Sequence, residues 1–136
     1  MELKAEVLLP GAAVRGECLA LTAPISFWGG VDPATGTIID ARHPQRGDNV
    51  AGTILALPGT IGSSSASAVL LELVHAGRAP AALLLDAPDA ILLLGLVVAC
   101  EMRWPTPPAF RLPAAMQPRL AGRTLTISAA GVIAPG

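Results

Sequence analysis

The residues with the clearest potential for chemistry are three consecutive serines, Ser63, Ser64 and Ser65, which directly follow Gly62. They stand where an apolar run, predicted to be a strand, gives way to a pattern typical of a helix. The first turn of a helix carries N–H groups without intrahelical partners and the positive end of the helix dipole, so it favours a carboxylate or phosphate. In a site closed to water, such a turn would also stabilise an alkoxide, a strong base toward a C–H beside a carboxylate. We therefore take Ser63 as the candidate reactive group.

A simpler interpretation of these residues is that Ser64 or Ser65 is only the N-cap of the helix and that the glycines only shape the turn. Two familiar motifs are excluded. No glycine follows Ser63 at the spacing of a hydrolase G-x-S-x-G elbow, and no Gly-Lys-Ser/Thr ending follows Gly59 as in a P-loop. The local sequence thus leaves a serine base and a helix cap as alternatives.

Composition limits the classes of protein to consider. Of the 136 residues, 52% are hydrophobic and only 14% are charged, and the net charge is -1. We expect one domain over residues 1–136, part of whose poorly charged surface is covered by another protein. Scattered basic residues and few aromatic ones argue against nucleic-acid binding. The longest apolar run, 90–100, is too short to cross a bilayer, and the start of the chain lacks a signal-peptide pattern. We expect no membrane association and a cytoplasmic location.

The two cysteines, Cys18 and Cys100, lie far apart in sequence and belong to no Cys-x-x-Cys or Cys/His spacing. Neither a zinc site nor a complete iron–sulfur site can be assembled from them. We interpret both as reduced core cysteines, and we expect no metal site in this chain.

A polar loop over residues 41–52 contains much of the chain's polarity, including His43. Binding residues are often carried on such loops, although an ordinary solvated loop would look the same. Pro44 follows His43 and favours extended backbone there rather than a helix interior. His75 lies near the end of a predicted helix, where a surface position or an interaction with the helix dipole is the simplest interpretation.

The elements that position these residues follow from periodicity and from turn residues. Alternating or continuous short apolar runs predict strands at 2–8, 14–21, 25–28, 37–40, 53–57, 81–85, 109–112 and 123–128. Longer patterns predict helices at 65–76 and about 89–102, the second with Asp86 or Asp89 as its cap. This second helix is apolar all round, so we expect it to lie deep or between the sheet and a partner. The implied fold is α/β, with a mixed sheet or small barrel-like core and two main helices.

Three segments together resemble a known family: ISFWGGVDPATGTIIDARHPQRG at 25–47, VAGTILALPGTIGSSSASAVLLEL at 50–73, and APAALLLDAPDAILLLG at 79–95. In order and spacing they are similar to the small subunit, or small domain, of aconitase X. The resemblance covers roughly residues 14–102. It implies a swivelling β/β/α domain, like the mobile domain of aconitase, that closes over a large subunit carrying an iron–sulfur cluster.

The same resemblance implies a hydro-lyase that dehydrates a small hydroxy acid, with Ser63 as the proton acceptor. The partner would be the large aconitase X subunit, whose cysteines bind the cluster and whose iron helps the hydroxyl leave. Substrate contacts are expected from Gly62, Ser64 and Ser65, through backbone amides and the Ser64 hydroxyl, and from His43 on the polar loop.

Two substrates follow from the family. Bacterial members that share the RHPQ loop act on cis-3-hydroxy-L-proline, and archaeal members act on mevalonate 5-phosphate; the RHPQ and FWGG segments favour the proline derivative. One departure is Ile61, at a position where the family often has Lys or Arg. Without that cation anion binding would be weaker, so either the large subunit compensates, the substrate differs, or activity is reduced. A non-catalytic partner subunit, or a carrier domain phosphorylated on His43, remains the alternative from a different functional class.

Overall fold

The fold is described by a computed structural model that covers residues 2–136. The strands are β1 (Leu3–Lys4), β2 (Glu6–Leu9), β3 (Val14–Ala20), β4 (Ile54–Leu57), β5 (Ala82–Leu85), β6 (Ala109–Arg111), β7 (Thr124–Ile127) and β8 (Val132–Pro135). The helices are α1 (Phe27–Gly30), α2 (Ala66–His75) and α3 (Ala90–Glu101), with two short 3₁₀ turns at Ala114–Met116 and Pro118–Leu120. In this described range, no helix is both long and apolar enough to span a lipid bilayer.

The eight strands form one mixed sheet in the order β1-β8-β7-β3-β4-β5-β6-β2. Its centre, β3 to β6, is parallel, and the strands on either side are antiparallel. The long connections between successive parallel strands contain α1, α2 and α3, as parallel pairing requires. The carboxyl ends of β4 and β5 therefore lie at the same edge of the sheet, from which their following loops emerge.

The sheet is nearly closed into a barrel because its two outermost strands are almost continuous in the chain. Only Ala5 separates β1, which pairs with β8, from β2, which pairs with β6. The Ala5 N–H donates a hydrogen bond to the carbonyl of Gly131, 2.8 Å away, in the turn before β8. The opening segment thus closes the sheet and leaves no long free strand edge.

Two hydrophobic cores lie on the two faces of the sheet, because alternate strand residues point to opposite sides. In β4, Ile54 and Ala56 pack inside the barrel with Leu125 and Ile133, whereas Leu55 packs with the helices. In β5, Ala82 and Leu84 likewise pack inside the barrel, whereas Leu83 and Leu85 pack with the helices, and all four residues are buried. The resulting layers confirm the predicted β/β/α fold with two main helices on a barrel-like sheet.

Helices α2 and α3 pack closely where Gly95 of α3 meets Ser67 in the first turn of α2. A Cβ at position 95 would lie 2.7 Å from the Ser67 carbonyl oxygen and 3.2 Å from its Cα. Both are backbone atoms, so a side chain could be accommodated only by moving a helix. This contact fixes the start of α2 on α3.

Replacing Gly95 with alanine should therefore destabilise the protein by about 1 to 3 kcal/mol through overpacking. Helix propensity alone predicts the opposite sign, a stabilisation of up to about 1 kcal/mol. Chemical denaturation measures the free energy of unfolding. The matched control is Leu94→Ala on the exposed face of α3, where a change within about 0.5 kcal/mol is expected. A stabilised Gly95→Ala variant would contradict the close approach.

Most predicted elements are confirmed, and the corrections concentrate in residues 25–40. The predicted strand at 25–28 is replaced by α1, an irregular short helical turn in which Gly29 has a φ of 76°. The predicted strand at 37–40 is reduced to isolated bridges made by Thr37 and Ile38. Neither segment has a neighbouring strand long enough to form a ladder. The sequence patterns predict no strand at the position of β8.

Candidate active site

The serine turn, residues 58–65, connects the end of β4 to the start of α2. Ser63 is half-buried between the exposed residues Gly62 and Ser64. Its hydroxyl oxygen accepts a hydrogen bond from the Ser65 N–H at 3.3 Å, and its carbonyl accepts one from the Ala66 N–H at 3.0 Å. The side chain of Ser63 is thus held by the same turn that begins the helix.

The amides of this turn are available to an anion. Ser65 occupies the N-cap position of α2, but its side chain makes no capping hydrogen bond. Within residues 2–136, the amides of Gly62, Ser63 and Ser64 donate no hydrogen bond to a protein acceptor. Three free donors next to a serine hydroxyl are the arrangement that would hold a carboxylate close to a proton acceptor.

An open cleft of about 470 Å³ lies beside the serine turn, outside the carboxyl ends of β4 and β5. Gly59, Thr60 and Gly62 line one wall, and the loop from Asp86 to Asp89 lines the other. In parallel barrels as well as in open α/β sheets, ligands bind at the carboxyl ends of the strands. Gly62 lines this cleft, but Ser63 does not: it lines a neighbouring recess, too small to hold a water molecule, that shares Thr60 and Asp89 with the cleft.

Asp89 is the cap of α3, as one of the two sequence alternatives predicts. Its Oδ1 accepts hydrogen bonds from the amides of Ile91 at 2.9 Å and Leu92 at 3.1 Å, and its Oδ2 accepts one from the Thr60 hydroxyl at 2.7 Å. The other candidate cap, Asp86, instead accepts the Ala114 N–H at 2.8 Å. Thr60 is absent from the predicted site because no local pattern indicates a partner 29 residues away.

His43 is buried, with only 6% of its surface exposed. Its Nδ1 accepts a hydrogen bond from the Gln45 N–H at 3.0 Å, so the proton lies on Nε2, which donates to the Ala23 carbonyl at 3.0 Å. Gln45 in turn bonds the Ala20 carbonyl and the Thr22 amide. Both ring nitrogens of His43 are therefore occupied in anchoring the polar loop to the end of β3, and a direct substrate contact by His43 would require these bonds to break.

Three exposed apolar side chains lie on the serine turn or on segments hydrogen-bonded in succession to it. Trp28, Ile39 and Ile61 are all exposed and come from neighbouring segments, since the Ile61 N–H bonds the Ile25 carbonyl at 3.1 Å and the Ile39 N–H bonds the Gly30 carbonyl at 2.9 Å. Ile61 thus stands at the rim of the site, where it presents no charge to a bound anion.

The cysteines differ from each other in the structure. Cys18 is buried in the barrel, and this burial raises the pKa of its thiol to about 11. Cys100 is exposed on α3, which corrects its interpretation as a core residue. Across residues 2–136 there is no grouping of three His, Cys, Asp or Glu side chains that would hold a metal ion. The residues of this chain do not fit an iron–sulfur cluster.

The fold and the site define a class of protein: β/β/α domains in which a nearly closed mixed barrel carries two helices and presents a polar turn at the edge of its parallel strands. Residues 2–132 match the family described as aconitase X swivel domain. The chain belongs to this family, as the sequence resemblance predicts.

Two curated relatives and one solved structure show the range of the family. The chain is 52% identical over 95 residues to cis-3-hydroxy-L-proline dehydratase of Pseudomonas aeruginosa. The aligned residues cover 70% of this chain and 16% of that enzyme. It is 38% identical over 99 residues to the phosphomevalonate dehydratase small subunit of Methanothermobacter thermautotrophicus, covering 73% and 75% of the two chains. The crystal structure of Thermococcus kodakaraensis aconitase X in its holo form superposes with a TM-score of 0.86, 28% identity, and coverage of 100% and 98%.

The chain spans only about one sixth of the length of the hydroxyproline dehydratases that it matches, 16% for the bacterial enzyme and 15% for that of Hypocrea jecorina. It spans three quarters of the archaeal small subunit. The relatives are named dehydratases in both cases.

Proposed function

We propose that this chain is the swivel-domain part of an aconitase X type hydro-lyase and that Ser63 accepts the proton removed from the substrate. The observation that carries the proposal is the serine turn, in which the Ser63 hydroxyl lies beside three backbone amides without protein partners and Gly62 lines an open cleft. Membership of the aconitase X family and the dehydratase names of the relatives support this reaction class.

The residues of this chain would divide the work between binding and proton transfer. The amides of Gly62, Ser63 and Ser64 hold the substrate carboxylate, and the Ser64 hydroxyl adds a further donor. A carboxylate held there places the neighbouring C–H next to the Ser63 oxygen, which takes the proton when Ser63 is in its alkoxide form and so returns to the neutral hydroxyl. The Ser65 N–H already donates to that oxygen and stabilises negative charge on it.

The leaving hydroxyl needs chemistry that this chain does not supply. On the family expectation, an iron–sulfur cluster bound by a larger partner subunit, or by the remainder of a longer polypeptide, would supply Lewis-acid chemistry there. The exposed apolar side chains of Trp28, Ile39 and Ile61 support a partner that closes over this part of the chain, because closure would cover them and exclude water from the base.

The proposed substrate is cis-3-hydroxy-L-proline. Its support is the 52% identity to the bacterial hydroxyproline dehydratase, against 38% to the archaeal phosphomevalonate dehydratase small subunit. Ile61 fits this choice, because an uncharged side chain at the rim offers no cation for the phosphate of mevalonate 5-phosphate. One observation favours the second candidate, the phosphomevalonate enzyme: the chain matches that small subunit over most of both lengths.

A carrier domain phosphorylated on His43 is the less supported alternative. The His43 ring is almost fully buried, and both of its nitrogens are engaged in hydrogen bonds. A phosphodonor would have to displace the polar loop to reach either nitrogen. A non-catalytic partner subunit differs from the proposed enzyme only in whether Ser63 is needed for turnover.

The substrate assay uses the complete enzyme, with the larger subunit or segment present. Each hydroxy acid is incubated separately, and the dehydrated product is measured by mass spectrometry as the loss of one water. We expect turnover of cis-3-hydroxy-L-proline and little of mevalonate 5-phosphate, with none from the 136-residue chain alone. Turnover of the phosphomevalonate only would support the second candidate instead.

A further inference from the structure

One carboxylate connects the serine turn to helix α3. The two oxygens of Asp89 have separate partners: Oδ1 accepts the two amides that begin α3, and Oδ2 accepts the Thr60 hydroxyl at 2.7 Å. A hydroxyl donating to an ionised carboxylate forms one of the stronger and more directional hydrogen bonds of proteins. Because the helix cap uses the other oxygen, the bond to Thr60 can be removed without removing the cap.

Thr60 lies three residues before Ser63, and the turn is held at this point from two sides. On one side is Asp89. On the other, the backbone of Ile25 forms a parallel bridge with Thr60 and accepts the Ile61 N–H at 3.1 Å. Beyond Ser63, the next fixed point is the first turn of α2, which packs on α3 at Gly95. Helix α3 thus contacts the chain on both sides of Ser63, through Asp89 before it and Gly95 after it.

We propose that Thr60 and Asp89 are positioning residues for Ser63: their hydrogen bond fixes the serine turn against α3 and so sets the place of the Ser63 hydroxyl and of the neighbouring amides. The catalytic part of this inference rests on the proposed function of Ser63. Because only two residues lie between Thr60 and Ser63, a displacement of Thr60 should also displace the Ser63 hydroxyl. A displacement of about 1 Å at a reacting group can cost roughly 100-fold in rate.

The test compares two substitutions at Thr60, one without and one with a hydroxyl, and one control substitution at Thr53. Thr60→Val removes it and keeps the shape of the side chain, and Thr60→Ser keeps it. Thr53→Val is the matched control, because Thr53 is also half-buried, donates its hydroxyl to the Val50 carbonyl at 2.8 Å, and precedes β4, whereas Thr60 follows it. Circular dichroism establishes that each variant is folded.

Two readouts are measured. In the 136-residue chain, amide hydrogen exchange is followed by mass spectrometry over residues 59–66. We expect exchange of the hydrogen-bonded amides there, those of Ile61, Ser65 and Ala66, to be several-fold faster in Thr60→Val and unchanged in Thr60→Ser and Thr53→Val. In the complete enzyme, we expect kcat to fall by roughly 10- to 100-fold in Thr60→Val and to be restored in Thr60→Ser.

Asp89→Asn gives a second, independent variant. An asparagine keeps an oxygen for the α3 amides and offers an N–H₂ group to the Thr60 hydroxyl, so a neutral hydrogen bond replaces the charged one. We expect it to fall between the wild type and Thr60→Val in both exchange and kcat.

Unchanged exchange in Thr60→Val, or a Thr60→Ser variant as impaired as Thr60→Val, would overturn the positioning role whatever the function of Ser63. Faster exchange in Thr60→Val together with an active Ser63→Ala enzyme would refute the serine base while supporting the pair as the anchor of the turn.

Discussion

Replacement of Ser63 by alanine should lower kcat of the complete enzyme by roughly 10²- to 10⁴-fold, the usual contribution of a positioned general base. The substitution removes the hydroxyl oxygen that accepts the Ser65 N–H but leaves the backbone of the turn unchanged. The amides that would hold the substrate carboxylate therefore remain, and we expect KM to change much less than kcat. Steady-state kinetics on the preferred hydroxy acid measures both constants.

The matched control is Ser67→Ala, one turn further along in α2. Its hydroxyl donates to the Ser64 carbonyl at 3.2 Å and lies outside the proposed binding and catalytic groups. We expect kcat within about threefold of the wild type, since surface substitutions away from a site have small effects. Turnover by Ser63→Ala at the level of Ser67→Ala would rule out Ser63 as the base and favour a non-catalytic swivel domain.

Substitution of Gly131 by alanine should give the largest loss of stability, about 3 to 5 kcal/mol. Gly131 has a φ of 92°, which an L side chain adopts only with strain. Its missing Cβ would also overlap the Ala5 carbonyl oxygen. Relieving that overlap breaks the hydrogen bond from the Ala5 N–H to the Gly131 carbonyl, and with it the closure of the barrel between β1 and β8.

Gly122→Ala separates the cost of the positive φ from the cost of the overlap between the new Cβ and a neighbouring backbone atom. Gly122 also has a positive φ, 74°, but a Cβ there would meet no atom within 4 Å. We expect its cost to be about 1 kcal/mol, from the backbone conformation alone. Chemical denaturation gives the free energy of unfolding of both variants, and the difference between their losses is the contribution of barrel closure. Equal losses in the two variants would contradict a close contact between Ala5 and Gly131.

The central strands and helices could be predicted from the sequence because the patterns that indicate them are local. Short continuous apolar runs mark the buried parallel strands β4 and β5, and periodic runs mark α2 and α3. Asp89 before an apolar helix is an ordinary cap signal, and the structure confirms it. The aconitase X family is likewise confirmed, because the residues that carry the resemblance lie within the matched range 2–132.

The parts that escaped prediction depend on partners distant in sequence. Residues 25–40 have the composition of strands but do not pair with a neighbouring strand over several residues. They form a helical turn and isolated bridges instead. The polarity of His43 suggests a binding role, whereas its burial follows from contacts with Ala23 and Gln45 that only the fold creates. The pairing of Thr60 with Asp89 is similarly invisible before the loops after β4 and β5 are brought together.

Helix α3 shows a different limit of sequence patterns. Its residues are apolar on every side, which predicts burial without indicating what covers each face. In the structure, Leu92 and Leu96 pack on the sheet and α2, while Leu94, Val97 and Val98 are exposed. The inner face is accounted for by the fold of this chain, and the exposed face is consistent with the expectation that another protein covers part of the surface.

The pairing of β1 with β8 has a consequence for how such a domain is joined to larger assemblies. Leu3 lies opposite Ile133 and Lys4 opposite Val132, so the first and last strands run side by side in opposite directions. A covalent tether spliced to either terminus would consequently emerge from one corner of the barrel. The domain could thus be joined to a longer polypeptide at either end without rearranging its strands.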